Sequence, residues 1–130
     1  MGVLLDTTVV IDLLRGRPEA ISRLRRLRRA GEATFVCAVT VEETVRGLRA
    51  PEDVSARTLF AGLRVAPIGL DEGWRAGQWR RDFASRGVTL TQADCLIAAT
   101  ASSIGARLAT GNPGDFPMEG VSVEYWIPGA

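Results

Sequence analysis

Three carboxylates recur in one local context along this chain. Asp6 closes the apolar run VLLD, while Glu43 and Asp94 stand a few residues into the segments VTVEETVRGL and TQADCLIAATA. Asn112 and a fourth acid, Asp115, follow in TGNPGDF at residues 110–116. An ionised carboxylate in apolar surroundings is unfavourable by on the order of several kcal/mol unless it is compensated, and neighbouring carboxylates raise one another's pKa. A hard divalent cation removes both conflicts: Mg²⁺ and Mn²⁺ prefer oxygen donors and are held by a few carboxylates together with substrate phosphates. Such a site activates water and shields the charge that develops in a phosphoryl displacement. The chemistry these residues suit, if they converge, is that of a metal-dependent nuclease. Taken one at a time they have simpler readings. Thr40 with Glu43, and Thr91 with Asp94, have the spacing of helix capping boxes; Asp6 suits an N-cap and Asp115 a turn.

Convergence depends on the elements that carry these residues. Gly2 to Leu5 reads as a strand, with Thr7 or Thr8 as cap of a helix through Leu14. Pro18 opens a second helix to about Ala30, with Ile21, Leu24 and Leu27 inward and Gly31 beyond its end. Thr34 to Val39 reads as a strand and Thr40 as the start of a helix to about Arg49. Helical stretches follow at Pro51–Leu63, at Asp71–Ser85 and, the most apolar, at Ala93–Ile104, stopped at Gly105. Strands are expected at Val65–Ile68, Arg107–Thr110 and Val121–Tyr125, with a turn at 112–115. Short strands alternating with longer helices predict an α/β fold in which a central parallel sheet is covered on both faces. In such sheets ligands bind beyond the carboxyl ends of the strands, where all of these polar residues would lie.

Composition narrows the chemistry further. The 130 residues predict one domain, 1–130, with no run long enough to span a membrane and no basic, apolar leader, so a cytoplasmic protein is expected. With no histidine and two widely separated cysteines, Cys37 and Cys95, zinc and Cys/His catalysis are excluded, and both cysteines read as small buried hydrophobes. All 16 basic residues are arginine, which excludes any mechanism that needs a lysine. That argues against receiver-like domains and haloacid-dehalogenase-type phosphatases, which also place an acid at the end of the first strand. The arginines at 23, 25, 26, 28 and 29 offer a phosphate-binding stripe or a solvated face, and Arg15, Arg17, Arg80, Arg81 and Arg86 are further candidates.

In the order LLDTTVVIDLLRG, VTVEETVRGL, TQADCLIAATA and TGNPGDF, the chain closely resembles the PIN-domain ribonucleases, and within them the VapC-type toxins of bacterial toxin–antitoxin pairs. The resemblance covers essentially the whole chain. It implies a three-layer α/β/α PIN-like domain and a Mg²⁺- or Mn²⁺-dependent endoribonuclease that cleaves a phosphodiester by metal-activated water, leaving a 5′ phosphate. It further implies a homodimer inhibited by a cognate VapB-type antitoxin that lies along a groove, with Trp74, Trp79 and Phe60 as either groove or core. Carried over by position, Asp6, Glu43 and Asp94 are metal-binding acids, Thr7 is the hydroxyl beside the first acid, and Thr110 is a threonine near the site. The fourth metal position falls on Asn112, where many relatives have aspartate, and Asp115 is the candidate to supply the missing charge. That departure keeps open an inactive PIN-fold module that binds RNA or protein.

Overall fold

The computed structural model describes residues 2–130; Met1, the first residue of the expected domain, lies outside them. Five strands, β1 (Gly2–Leu5), β2 (Ala33–Cys37), β3 (Arg64–Ala66), β4 (Arg107–Thr110) and β5 (Val123–Tyr125), form one sheet in the order β3-β2-β1-β4-β5. Every pairing is parallel. Six helices connect and cover them: α1 (Thr7–Leu14), α2 (Pro18–Arg29), α3 (Ala38–Arg46), α4 (Asp53–Ala61), α5 (Leu70–Ala84) and α6 (Gln92–Ser103).

Alternation along the strands divides the core in two. Val3, Leu5, Val36 and Ala109 pack with Val9, Val10 and Leu13 of α1 and Leu24 of α2, with Leu59 and Phe60 of α4 behind them. Leu4, Cys37 and Leu108 face the other way, against Ala76 of α5 and Cys95, Ile97 and Ala98 of α6. This is the three-layer α/β/α arrangement, and a sheet covered on both faces explains why β1 is apolar at consecutive positions. Cys37 and Cys95 are both free thiols buried in this second core.

Several boundaries differ from those read in the sequence, each for a local reason. Thr7 and Thr8 do not cap α1. Asp6 does, its carboxylate accepting a hydrogen bond from the Val9 amide at 3.1 Å. Strand β2 ends at Cys37, the last residue paired with β3, and α3 starts at Ala38, so Thr40 lies inside the first turn. Its fully buried hydroxyl stands 3.3 Å from that of Thr7, and the expected Thr40–Glu43 capping box does not form. The stretch after Pro51 is broken by a 3₁₀ turn at Ala50–Glu52. Strand β3 runs from Arg64 to Ala66 because Pro67 has no amide with which to continue the ladder. Pairing of the last strand begins at Val123 rather than Val121. Thr91 does cap α6, accepting from the Asp94 amide at 3.1 Å, and Gly105 ends that helix region with φ +65°.

Strand order reverses at β1, which pairs with β2 on one side and β4 on the other. The register Leu5–Ala109 and the Asp6 amide's hydrogen bond to the Ala109 carbonyl, 3.0 Å, bring the carboxyl ends of β1 and β4 together. The first turns of α1, α3 and α6 open on this same edge, at the crevice expected for an open parallel sheet.

Candidate active site

Asp6 is 4% exposed and sits where β1 passes into α1. Burial raises its pKa above the ordinary 3.8, opposed by hydrogen bonds from the hydroxyls of Thr110 and Thr8 and from the Val9 amide. Glu43, one turn into α3, accepts from the Thr7 hydroxyl at 2.7 Å through Oε1. Asp94 occupies the first turn of α6. Its pKa is also raised, chiefly by burial and further by the charges of Asp115, Glu43 and Asp6, against a lowering hydrogen bond from Thr91. Asp115 accepts from the Asn112 side-chain amide at 2.8 Å through Oδ2.

The charges of Asp6, Glu43 and Asp115 therefore all act on Asp94, and Asn112 is joined to this group through Asp115. These residues do not stand at one point: among the described residues no three acids have ready-made metal-ligand geometry. Thr7 and Asn112 hold Glu43 and Asp115 by one oxygen each, leaving each carboxylate a second oxygen uncommitted. Carboxylate and carboxamide oxygens are the donors a small hard dication prefers, and the like charges that Asp115, Glu43 and Asp6 direct at Asp94 are what it would offset. By type, these oxygen donors suit a hard divalent cation better than a soft one.

These shifts set a pH dependence. Asp6 and Asp94 bind protons more tightly folded than unfolded, so their ionisation penalises the fold fully above their folded pKa and the penalty fades as pH falls toward 3.8. Glu52 and Glu72 run oppositely, each held below 4.5 by hydrogen bonds, to Arg49 and to Ser103 respectively, and their stabilisation is lost only as pH falls beneath 4.5. The chain has no histidine to confuse the interval between. In thermal melts of the metal-free protein, the midpoint is expected to rise as pH falls from neutrality toward 4.5 and to fall at lower pH, where the Glu52 and Glu72 stabilisation is lost. A midpoint that falls monotonically on acidification from neutrality would show that the two aspartates are not strained in this way.

The PIN domain family model matches residues 3–116. The chain belongs to the PIN domain family. Within the family its relatives include the ribonucleases VapC19 of Mycobacterium tuberculosis, 32% identical over 88% of this chain and 92% of that one, and VapC10 of the same species, 33% identical over 98% and 96%. Among solved structures, the DNA-bound VapBC of Salmonella typhimurium superimposes with a TM-score of 0.83 at 25% identity, covering 97% of this chain and 98% of that one.

One feature of this PIN domain's site was not anticipated from its sequence: Thr8 ties Asp6 to the backbone after β4. The Thr8 hydroxyl donates to Asp6 Oδ1 at 2.6 Å and accepts from the Gly111 amide at 2.8 Å. The Thr110 hydroxyl accepts from the Asn112 amide at 3.0 Å and acts to lower the Asp6 pKa. Gly111 suits the approach, since a Cβ there would stand 3.2 Å from Thr8 Oγ1 and 3.3 Å from Pro128 Cβ, and those neighbours would have to give by a few tenths of an ångström. The only cue for Thr8 lay in its place two residues after Asp6; its partner is 103 residues away. Thr8→Val is expected to destabilise the fold by about 1–3 kcal/mol in urea unfolding, by stranding the Gly111 amide and removing a donor from Asp6, with Thr8→Ser close to wild type.

The other sequence candidates lie elsewhere. Arg23 is engaged by the Tyr125 carbonyl at 2.8 Å and the Trp126 ring at 4.7 Å, and Arg28 donates to the Gly62 carbonyl at 3.4 Å, whereas Arg25, Arg26 and Arg29 face solvent. Trp74 is 69% exposed, while Trp79 and Phe60 pack against the two cores.

Proposed function

We propose that this PIN domain is a divalent-metal-dependent endoribonuclease, the toxin of a toxin–antitoxin pair, that works in the cytoplasm as a homodimer and is silenced by a VapB-type antitoxin. What supports the reading is identity to the VapC ribonucleases along nearly the full chain, together with the charges of Asp6, Glu43 and Asp115 acting on Asp94. No described helix is long and apolar enough to cross a membrane.

Asp6, Glu43 and Asp94 would hold the cation. Bound among them, Mg²⁺ or Mn²⁺ supplies activation of water and shielding of the charge that builds on a phosphodiester under attack. Asp6 contributes a carboxylate whose position is fixed by the cap of α1 and by the Thr8 relay. Thr7 orients Glu43 by donating to it, so that the glutamate's long side chain does not lose its geometry to rotamer freedom. Asn112 brings no charge of its own but braces Asp115, whose charge reaches Asp94 and takes the place of the acid that Asn112 does not provide. The 3′ oxygen leaves, and the product carries a 5′ phosphate.

The neutral Asn112 also favours a second reading, an inactive module of the same fold that binds RNA without cutting it. Purified protein incubated with total RNA and Mg²⁺ or Mn²⁺ separates the two. The ribonuclease produces discrete new ends bearing 5′ phosphates, suppressed when its antitoxin is co-expressed. RNA that stays intact with both metals, although bound, overturns the catalytic reading.

A further inference from the structure

Two cavities on this face reach Glu43, and their charge differs. One, about 390 Å³, runs toward α6 and contains Glu42 and Arg46, which pair with each other at 3.7 Å, so it keeps the negative sign of Glu43. The other, about 370 Å³, runs along α1 and α3 and is walled by Arg15, Arg49, Glu52 and Thr44. Within it Glu52 accepts from the Arg49 amide at 2.9 Å and from its guanidinium at 3.4 Å, with Arg15 acting on the same carboxylate through its charge. Arg15 makes no ion pair among the described residues. Thr44 lines the same wall, and its buried hydroxyl has no hydrogen-bond partner among the described residues.

We propose that this groove is the track for the RNA strand, in which Arg15 and Arg49 grip phosphates flanking the scissile one and Glu52 stands in for a phosphate until RNA displaces it. The inference rests on the ribonuclease reading and adds to it the path of the substrate. An acidic pocket repels the strand on either side of any cation it holds, so the strand needs an exit where guanidiniums can meet its phosphates, as Arg15 and Arg49 can in this groove. A carboxylate paired with the Arg49 guanidinium, in a groove that Arg15 also lines, marks where an anion of similar charge is welcome, and guanidinium forks suit phosphate oxygens. Arg15 lies nine residues past Asp6, at the far end of α1, and at 1.5 Å per residue this places it about 13 Å away. It meets a neighbouring phosphate and not the reacting one, so it acts on binding and leaves the chemical step alone.

The test is binding of a fluorescent single-stranded RNA 20-mer in EDTA, where nothing is cut, across a salt series. The double variant Arg15→Ala/Arg49→Ala is expected to bind more weakly and to lose about 1.4 from the slope of log K against log salt, about 0.7 for each phosphate contact on a single strand. Arg29→Ala, outside the groove, keeps the wild-type slope. Glu52→Gln, which retains the acceptor for the Arg49 amide but drops the charge, binds about threefold more tightly, the scale of one exposed charge pair. In cleavage assays the double variant raises KM and leaves kcat unchanged. An unchanged salt slope, Glu52→Gln binding more weakly, or a double variant that releases the antitoxin while holding RNA normally would overturn the proposal. Wild-type protein that binds RNA with these slopes but leaves it intact with metal sinks the ribonuclease reading and not the groove.

Discussion

Asp94→Asn is expected to lower RNA cleavage by about 100-fold or more, since even residues that only support a metal ligand cost about 10–100-fold when replaced. That corresponds to about 2.7 kcal/mol of lost transition-state stabilisation. The same substitution is expected to leave the metal-free protein as stable as wild type or more so. Asp94 is ionised against burial and against the charges of Asp115, Glu43 and Asp6, and asparagine removes that repulsion while keeping the side chain's shape. Its backbone amide still reaches Thr91, so the cap of α6 survives. Loss of activity with a gain of stability separates a functional carboxylate from a capping one, because loss of a helix cap destabilises. Single-turnover cleavage and paired thermal melts in EDTA read both halves. Wild-type cleavage by Asp94→Asn would remove that residue from the site.

Chelation is expected to abolish cleavage, and Mn²⁺ or Mg²⁺ added back to restore it. The same titration reads out in stability without any RNA. A cation that binds only the folded pocket raises stability by about 2.7 kcal/mol at a concentration 100 times its dissociation constant. It also competes with protons for Asp6 and Asp94, so the rise in melting temperature on mild acidification, expected without metal, should shrink or reverse when Mn²⁺ is present. Asp94→Asn should lose most of the Mn²⁺-induced shift. Cleavage that persists in excess EDTA would show that these carboxylates work without a cation.

Local pattern was enough for much of this protein. The strand–helix alternation, the strands Gly2–Leu5 and Arg107–Thr110, the Thr91 cap and the Gly105 stop are all properties of nearby residues, since periodicity and capping act over one or two turns. The acids at 6, 43 and 94 stood out for the same reason, each at a strand-to-helix junction or a helix start. Cap identity was harder. Thr40 and Glu43 have capping-box spacing, but Thr40 is buried beside Thr7 and Glu43 is held by Thr7, because α1 and α3 pack together and their side chains satisfy one another across the gap.

What tertiary structure alone decided is the connection between distant pieces. The sheet order sets β1 beside β4, and only then do Thr8 and Gly111, 103 positions apart, become hydrogen-bond partners. Charge behaves likewise. Sixteen arginines with no lysine say nothing about where a strand would lie, yet folding leaves Arg15 and Arg49 around Glu52 in a groove beside Glu43, while Arg23 is drawn off to the Tyr125 carbonyl and the Trp126 ring. Residue types and their order are local and can be read along a chain. Which carboxylates repel and which hydroxyls share a proton depend on distances of a few ångströms, and those exist only once the sheet has closed.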